Sequence, residues 1–491
     1  MVVTICHNAP LPSCLYGAVA ELQGSASSNP LGAVLARVSG DAMNTKRMSR
    51  RGFLRGLAGI GAASALVACV PAAPAAPSDD AAGMAPADEA VVEIVMFDRN
   101  VVQDLEYRKE LAERFNAEQE GIQVTVDVIP QGYDQTIMAR IAGGTAGDAF
   151  RHASHFGMSK FTTRGLLQEL DEFVALDGYD LSVFIEGPLS SNRVNGKLFA
   201  LPVNGHAGHA GLYFAPEIFA DAGVDLPTED WTYDDLRDAA AKLTRDTDDD
   251  GKSDSWGIWF GAWYQANLTL VSAHDGWPLN EDGSQATWAE PGAVAGMQWI
   301  QDMYHEVEAL PVMADSAAKQ QLWSSGKLAT ALSGVWEGAY LGDITPEGLT
   351  FSLVPGPKGP TGKRGGFAGC NNFPIWSSSE HPYETFQWIK YLSSQEVGVE
   401  GIGRIGEPGL RYDVFEDPRV ANDPLIIPHF QVLKDVKPFP APHNGRDSEV
   451  IQATAPLLEG IYLNELSAQE GCERLQEAIQ EILDMPPVEA A

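Results

Sequence analysis

A chain of 491 residues with 67 Asp and Glu against 33 Lys and Arg carries a formal net charge of -34. That charge argues against nucleic acid as a partner, because contact with phosphates needs basic surface. Of five cysteines, Cys6, Cys14 and Cys69 fall near the front, leaving only Cys370 and Cys472 further on, so no disulfide framework is expected. The 11 tryptophans, several in segments that read as loops, point to a ligand cleft.

The front of the chain reads as an address. Lys46, Arg47, Arg50, Arg51 and Arg55 precede an apolar run, Leu57 to Ala68. The run is far shorter than the roughly 20 residues a spanning helix needs. Basic region, apolar region and small residues in that order are an export signal. Arg50-Arg51 followed by Gly52-Phe53-Leu54 resembles the bacterial twin-arginine signal, and Leu66-Val67-Ala68-Cys69 resembles a lipobox, which implies lipidation of Cys69 and cleavage just before it. Residues 43–68 are therefore read as a twin-arginine lipoprotein signal, and residues 1–42, upstream of Met43, as a start-site artefact. Residues 69–90, rich in Ala, Pro and acidic residues, have little to bury and read as a flexible tether. The remaining length suits two or three domains.

From Val91 the pattern changes to an α/β body. "VVEIVMF" fits a strand covered on both faces, Tyr107, Leu111 and Phe115 recur at helical spacing, and Ile122, Val124, Val126 and Val128 alternate with polar residues. This is a β-α-β unit. A helix over Tyr133 to Ala142 leads through Gly143-Gly144 to "GDAFRHASHF", and the implied sheet is mostly parallel. Thr232 with Asp235 starts a helix carrying Leu236, Ala240 and Leu243. Further helices are expected over Ala293 to Glu308, from Pro382, and twice near the C-terminus, the last starting at Ser467 with Glu470 at the capping distance. Cys472 shares its face with Leu475, Ile479 and Ile482 and is expected to be buried.

"NGKLFALP", "LYFAPEIFADAGVDLPTEDWTYDDLRDAAAKLTRDTDDDGKSDSWGI", "SSGKLATALSGVW" and "FSLVPGPKG" resemble, in this order, landmarks of the extracellular solute-binding proteins of bacterial ABC importers, the group that includes maltose-binding protein. The resemblance implies a two-lobed periplasmic-binding-protein fold of type II, each lobe an open, mostly parallel sheet flanked by helices. The first lobe would comprise residues 91–204 and 354–402, the second 205–353 and 403–491, with crossings near Asn204 to Ala210, Leu353 to Pro357 and Gly401 to Gly409. It implies a ligand between the lobes, at the carboxyl ends of strands, and closure read by a membrane permease. A monomer outside the cytoplasmic membrane, touching it through the lipid alone, is expected.

Site candidates follow from residue chemistry and from this resemblance. Asp98 and Arg99 end the first strand, and His152 and His155 end an inner one, where the family's cleft lies. Trp263, Tyr264, Trp277 and Trp336 offer flat faces for the C–H face of a sugar ring, each with plain core packing as the alternative. Glu337, Asn371, Asn372 and Arg404 complete the set. Asp246, Asp248, Asp250 and Asp254, with Gly251 between, match positions of a calcium loop whose twelfth-position glutamate is replaced by Gly257; a structural calcium ion or an acidic surface turn would explain them. The same stretch has Asp246 where a phosphate loop needs glycine, and the glycines of Gly401 to Gly406 lack the preceding buried strand of a dinucleotide site, so no other cofactor is expected. No Gly-x-Ser-x-Gly, His-Glu-x-x-His or Cys-x-x-Cys motif is present, and the chain reads as a binder of a sugar or oligosaccharide and not an enzyme. The rivals are a binder of glycerol phosphate, a polyamine or a peptide, and a secreted carbohydrate-active enzyme.

Overall fold

The computed structural model describes residues 91–489 apart from 131, 155–156 and 312–314. The export signal, Cys69, the tether and His155 lie outside the described residues. The strands are β1 (Val92–Arg99), β2 (Ile122–Ile129), β3 (Ala149–Phe150), β4 (His152–Ala153), β5 (Arg193–Val194), β6 (Lys197–Leu198), β7 (Asn204–His206), β8 (Gly211–Phe214), β9 (Trp259–Phe260), β10 (Thr330–Ser333), β11 (Ser352–Pro355) and β12 (Gly369–Asn372). They build two main sheets, each with its own core, a third sheet between them and the two-stranded pair β5-β6.

The first body rests on the sheet β2-β1-β3, parallel throughout, with Val92 opposite Ile122 and Arg99 opposite Ile129. In β2, Val124 and Val126 point inward while Gln123, Thr125 and Asp127 are exposed, the period-two pattern of a half-covered strand. Tyr107, Leu111 and Phe115 on the helix Val102–Glu118 meet Phe386, Trp388 and Ile389 from the helix Pro382–Leu392 in one core. Burying each such aromatic stabilises by roughly 1.5–3 kcal/mol. The indole of Trp388 also donates to Met96 Sδ at 3.3 Å, fixing that helix to β1.

The second body rests on the sheet β11-β8-β10-β9. Here β8 pairs antiparallel with both β10 and β11, and only β9 and β10 run parallel. The expected mostly parallel arrangement therefore holds in the first sheet and is corrected to a mixed one in the second. The chain enters along β8 and leaves along β11 across the same boundary, so these neighbours must run in opposite directions. The Thr232 box forms in both senses: Asp235 N donates to Thr232 Oγ1 at 3.2 Å, and Thr232 N donates to Asp235 Oδ2 at 2.8 Å. Trp288, Met297, Ile300, Leu458, Leu475 and Ile479 pack in its core with Cys472. The long helix runs over Pro291–His305, shifted slightly from the expected span, because proline suits a first helical turn.

Between the bodies, β12 pairs antiparallel with β4 and β7, placing Asn372 opposite His152 and Asn371 opposite Asn204. Gly401 to Ile405 finish the helix Gln395–Ile405, which ends at Gly406 with φ 72°, and the segment that follows meets β7, with Gly409 bridged to Asn204. Gly398 explains why a glycine-rich helix is kept here, since a Cβ on it would lie 2.8 Å from the Cα of Gly409. Among the described residues no helix is long and apolar enough to cross a membrane.

Candidate functional site

A cavity of about 650 Å³ opens between the two bodies. Ser154, Met158 and Ser191 line it from the first body, Tyr264, Trp277 and Val450 from the second, and Phe367 and Phe439 from the segments between. That volume lies within the usual range for small-molecule sites.

Trp277, Phe439 and Phe367 of its lining begin a chain of rings that continues away from the cavity into the protein. Trp277 meets Phe439 at 5.2 Å between centroids, Phe439 meets Phe367 at 5.1 Å, and Phe367 meets His206 at 5.7 Å. His206 then packs edge-on against Trp336 at 4.8 Å, Trp336 against His209 at 5.4 Å, and His209 against Trp263 at 5.1 Å. The indole of Trp263 donates to His209 Nε2 at 3.2 Å. Three of the candidate tryptophans are thus joined through His206 and His209, which sequence reasoning did not single out. The signal was "NGHAGHAG", where glycine and alanine leave room for rings from elsewhere to approach. Tyr264, half-buried, packs towards Trp288 at 6.3 Å.

Burial holds these imidazoles neutral. His206 is pushed down to about 4 by burial and by Arg99, and His209 to about 3 by burial, His206 and Lys319. His429, whose Nε2 lies 2.9 Å from the Tyr213 hydroxyl, is also pushed down to about 3, by burial and His206. His152 is held well below its ordinary value by burial and Lys160, with its Nε2 3.0 Å from the Gly157 carbonyl.

Beside the rings lies a buried charge network. Asp98 is fully buried, 3.6 Å from Arg108 and 3.5 Å from Arg151, and Arg151 bonds Asp104 at 2.6 Å. Arg99 keeps 44% of its side chain exposed, lies 3.6 Å from Asp104 and does not line the cavity. Glu407, another residue that sequence reasoning missed, accepts from the amides of Asn204 and Asn371, and burial raises its pKa.

Among the described candidates Tyr264 and Trp277 line the cavity, and the others sit elsewhere. Asn372 is buried and its amide donates to Asn192 Oδ1. Glu337 is buried and ion-paired with Lys319 at 2.5 Å, with the Ser333 hydroxyl donating at 2.7 Å. Arg404 pairs with Glu110 at 2.5 Å on the surface of the first body and does not line the cavity. In the acidic loop Asp246, Asp248 and Asp250 bring carboxylate oxygens within 4.8 Å of one another, while Asp254 is turned to Lys327 at 2.5 Å and Thr247. Three carboxylates of the four expected thus converge.

The comparisons with known proteins agree with this architecture. The chain is 22% identical to the maltotriose-binding protein of Pyrococcus abyssi over 349 residues, 67% of this chain and 69% of that protein. It resembles the sugar-binding protein MalE of Xanthomonas citri with a TM-score of 0.70 at 20% identity, over 80% of this chain and 97% of that one. The GacH receptor of Streptomyces glaucescens, solved unliganded and with acarbose, matches with a TM-score of 0.67 at 20% identity, over 81% of this chain and all of that one (100%). With the family match extending over residues 100–399, the chain belongs to the bacterial extracellular solute-binding proteins.

Proposed function

We propose that this protein captures a sugar or oligosaccharide between its two bodies and presents it to the permease of an ABC importer. In this reading it is exported by the twin-arginine route and held by a lipid on Cys69 at the outer face of the bacterial cytoplasmic membrane, and it binds its ligand unchanged. The observation that carries the proposal is the ring-lined cavity of about 650 Å³ between the bodies. Indole and phenyl faces suit the C–H face of a pyranose, and Ser154 and Ser191 supply polar groups for hydroxyls. A ligand touching both bodies favours the closed form by its differential affinity for it. The maltotriose and acarbose named for the relatives lend the sugar reading further support.

A thermal-shift panel of mono- and oligosaccharides, phosphates and amino compounds tests it, because a ligand bound only by the folded form raises the melting temperature. A sugar is expected to respond. Silence from every sugar with a clear response from another class overturns the substrate. Cys69→Ala is expected to release the protein from membranes, and retention there would remove the anchor.

A further inference from the structure

The helix Asp447–Tyr462 belongs to the second body, where Val450, Leu458 and Ile461 enter the core. The short helix Ser159–Thr162 belongs to the first, where Phe161 packs with Met158, Phe97 and Phe150. The two meet beside the cavity, and the Ser159 hydroxyl donates to Asp447 Oδ2 at 2.6 Å. Both residues are buried, at 5% and 3% exposure, and the main chain of Lys160 also bonds the carboxyl. Gly157 has φ 79°, and a Cβ there would lie 1.6 Å from Asp447 Oδ1. The first body therefore offers this one carboxyl a pocket that is open because Gly157 has no side chain and is closed by the Ser159 hydroxyl and the Lys160 main chain.

We propose that Asp447 is a latch across the cleft, seated in the Gly157–Ser159–Lys160 pocket, that holds the two bodies closed and loosens as the surroundings turn from acidic to neutral. This rests on the reading of the bodies as jaws that close. The groups around the carboxyl are few. Lys160 faces it from the first body and Tyr264 from the helix Tyr264–Ala273 of the second. His152 lies behind the pocket against Gly157, and Arg446 turns away to Glu449 at 2.7 Å, while Glu281 and Glu290 line the same cavity. No ion pair neutralises the carboxyl among the described residues. Burial accordingly raises its pKa to about 6, a shift that Ser159 and Lys160 offset only in part. The closed form binds the proton more tightly than an open form in which water solvates the group. The latch is thus fully favourable below the ordinary carboxyl value and is lost as pH rises through about 6.

The test uses the full-length, ligand-free protein, so its outcome does not depend on which solute is bound. Dyes on the two bodies, or the radius of gyration in solution scattering, report closure between pH 5 and pH 7.5. The closing equilibrium is expected to favour the closed form about tenfold more at pH 5. Asp447→Asn keeps an acceptor for Ser159 without a charge and should stay closed with that pH dependence abolished; Asp447→Ala should open the protein at both pH values. Gly157→Ala should open it as well, by filling the pocket from the other side. A wild-type pH dependence surviving in Asp447→Asn, or unchanged dimensions in both Asp447→Ala and Gly157→Ala, would overturn the latch. If the latch holds while every sugar is silent in the thermal-shift panel, the substrate reading alone falls.

Discussion

Glu337 and Asp447 are both carboxyls removed from water, yet they are handled in opposite ways. Glu337 lies within the second body and is held by Lys319 at 2.5 Å and by the Ser333 hydroxyl, with the Lys319 ammonium also 4.6 Å from the Trp259 ring centroid. Asp447 lies on the boundary between bodies and is met by a hydroxyl and a main-chain amide, with no cation in an ion pair among the described residues. A buried charge inside one body needs a permanent counter-charge. One on a boundary can do without, because opening returns it to water. The difference separates a structural carboxyl from a conformational one.

The largest effect expected from that distinction is at Glu337. Glu337→Ala would strand the Lys319 ammonium in the core and cost about 3–5 kcal/mol, read as a fall in the urea midpoint. A loss under about 1 kcal/mol would mean that Lys319 escapes to solvent and that the two carboxyls are less different than their partners imply.

Acid acts on the boundary in two opposing directions. His206, His209 and His429 are neutral in the folded protein with pKa values pushed down to about 4, about 3 and about 3. A depressed histidine contributes stability present above its unfolded value near 6.5, which is lost as pH falls towards the folded value. At pH 5 each should have given up about 2 kcal/mol. Asp447 works the other way, gaining as pH falls below about 6. Urea melts between pH 7.5 and 5 are therefore expected to show net loss of stability, deepened in Asp447→Asn, which keeps the histidines and lacks the compensating group. Equal slopes in the two proteins would place Asp447 outside the balance.

Trp336 precedes Glu337, packs on both His206 and His209, and is linked to the cavity wall through His206 and Phe367. Trp336→Ala should weaken ligand binding about tenfold, equivalent to about 1.4 kcal/mol, as measured by calorimetry with whichever solute raises the melting temperature. An unchanged affinity would make Trp336 a wedge between the bodies with no part in the contact.

What could be read from the chain was whatever a local pattern decides. The alternation of Val124 and Val126 with Gln123, Thr125 and Asp127 is local, and so is the reciprocal bonding of Thr232 and Asp235. The helix that runs through Gly401 to Ile405 depends on Gly398 meeting Gly409, a contact between segments that no spacing announces. The site was harder still. Asn371 and Asn372 are adjacent on β12 and so point to opposite faces, one to Glu407 and the other to Asn192. His206, His209 and Glu407 become visible only when the crossing strand is laid under Trp336 and against β12. Tryptophan announces itself by type, whereas a histidine among glycines gives no sign of the ring it will touch.

The smallest effect expected is also the sharpest test of what the Glu337 pair is for. If Lys319 and Glu337 serve only to neutralise each other, replacing both by apolar residues of similar volume should be nearly neutral, because the desolvation of two charges is avoided along with their attraction. Lys319→Met with Glu337→Leu is expected to lie within about 1 kcal/mol of wild type in urea denaturation, far from the loss in Glu337→Ala. The hydroxyl of Ser333 would lose its acceptor and can account for part of any residue. A double variant as damaged as the single one would mean instead that the pair fixes the turn from β10 into the helix Glu337–Ile344, and with it the placement of Trp336 over the two histidines. Stability and solute affinity would then fall together, and the permanent carboxyl would prove as much a part of the cleft as the one that lets go.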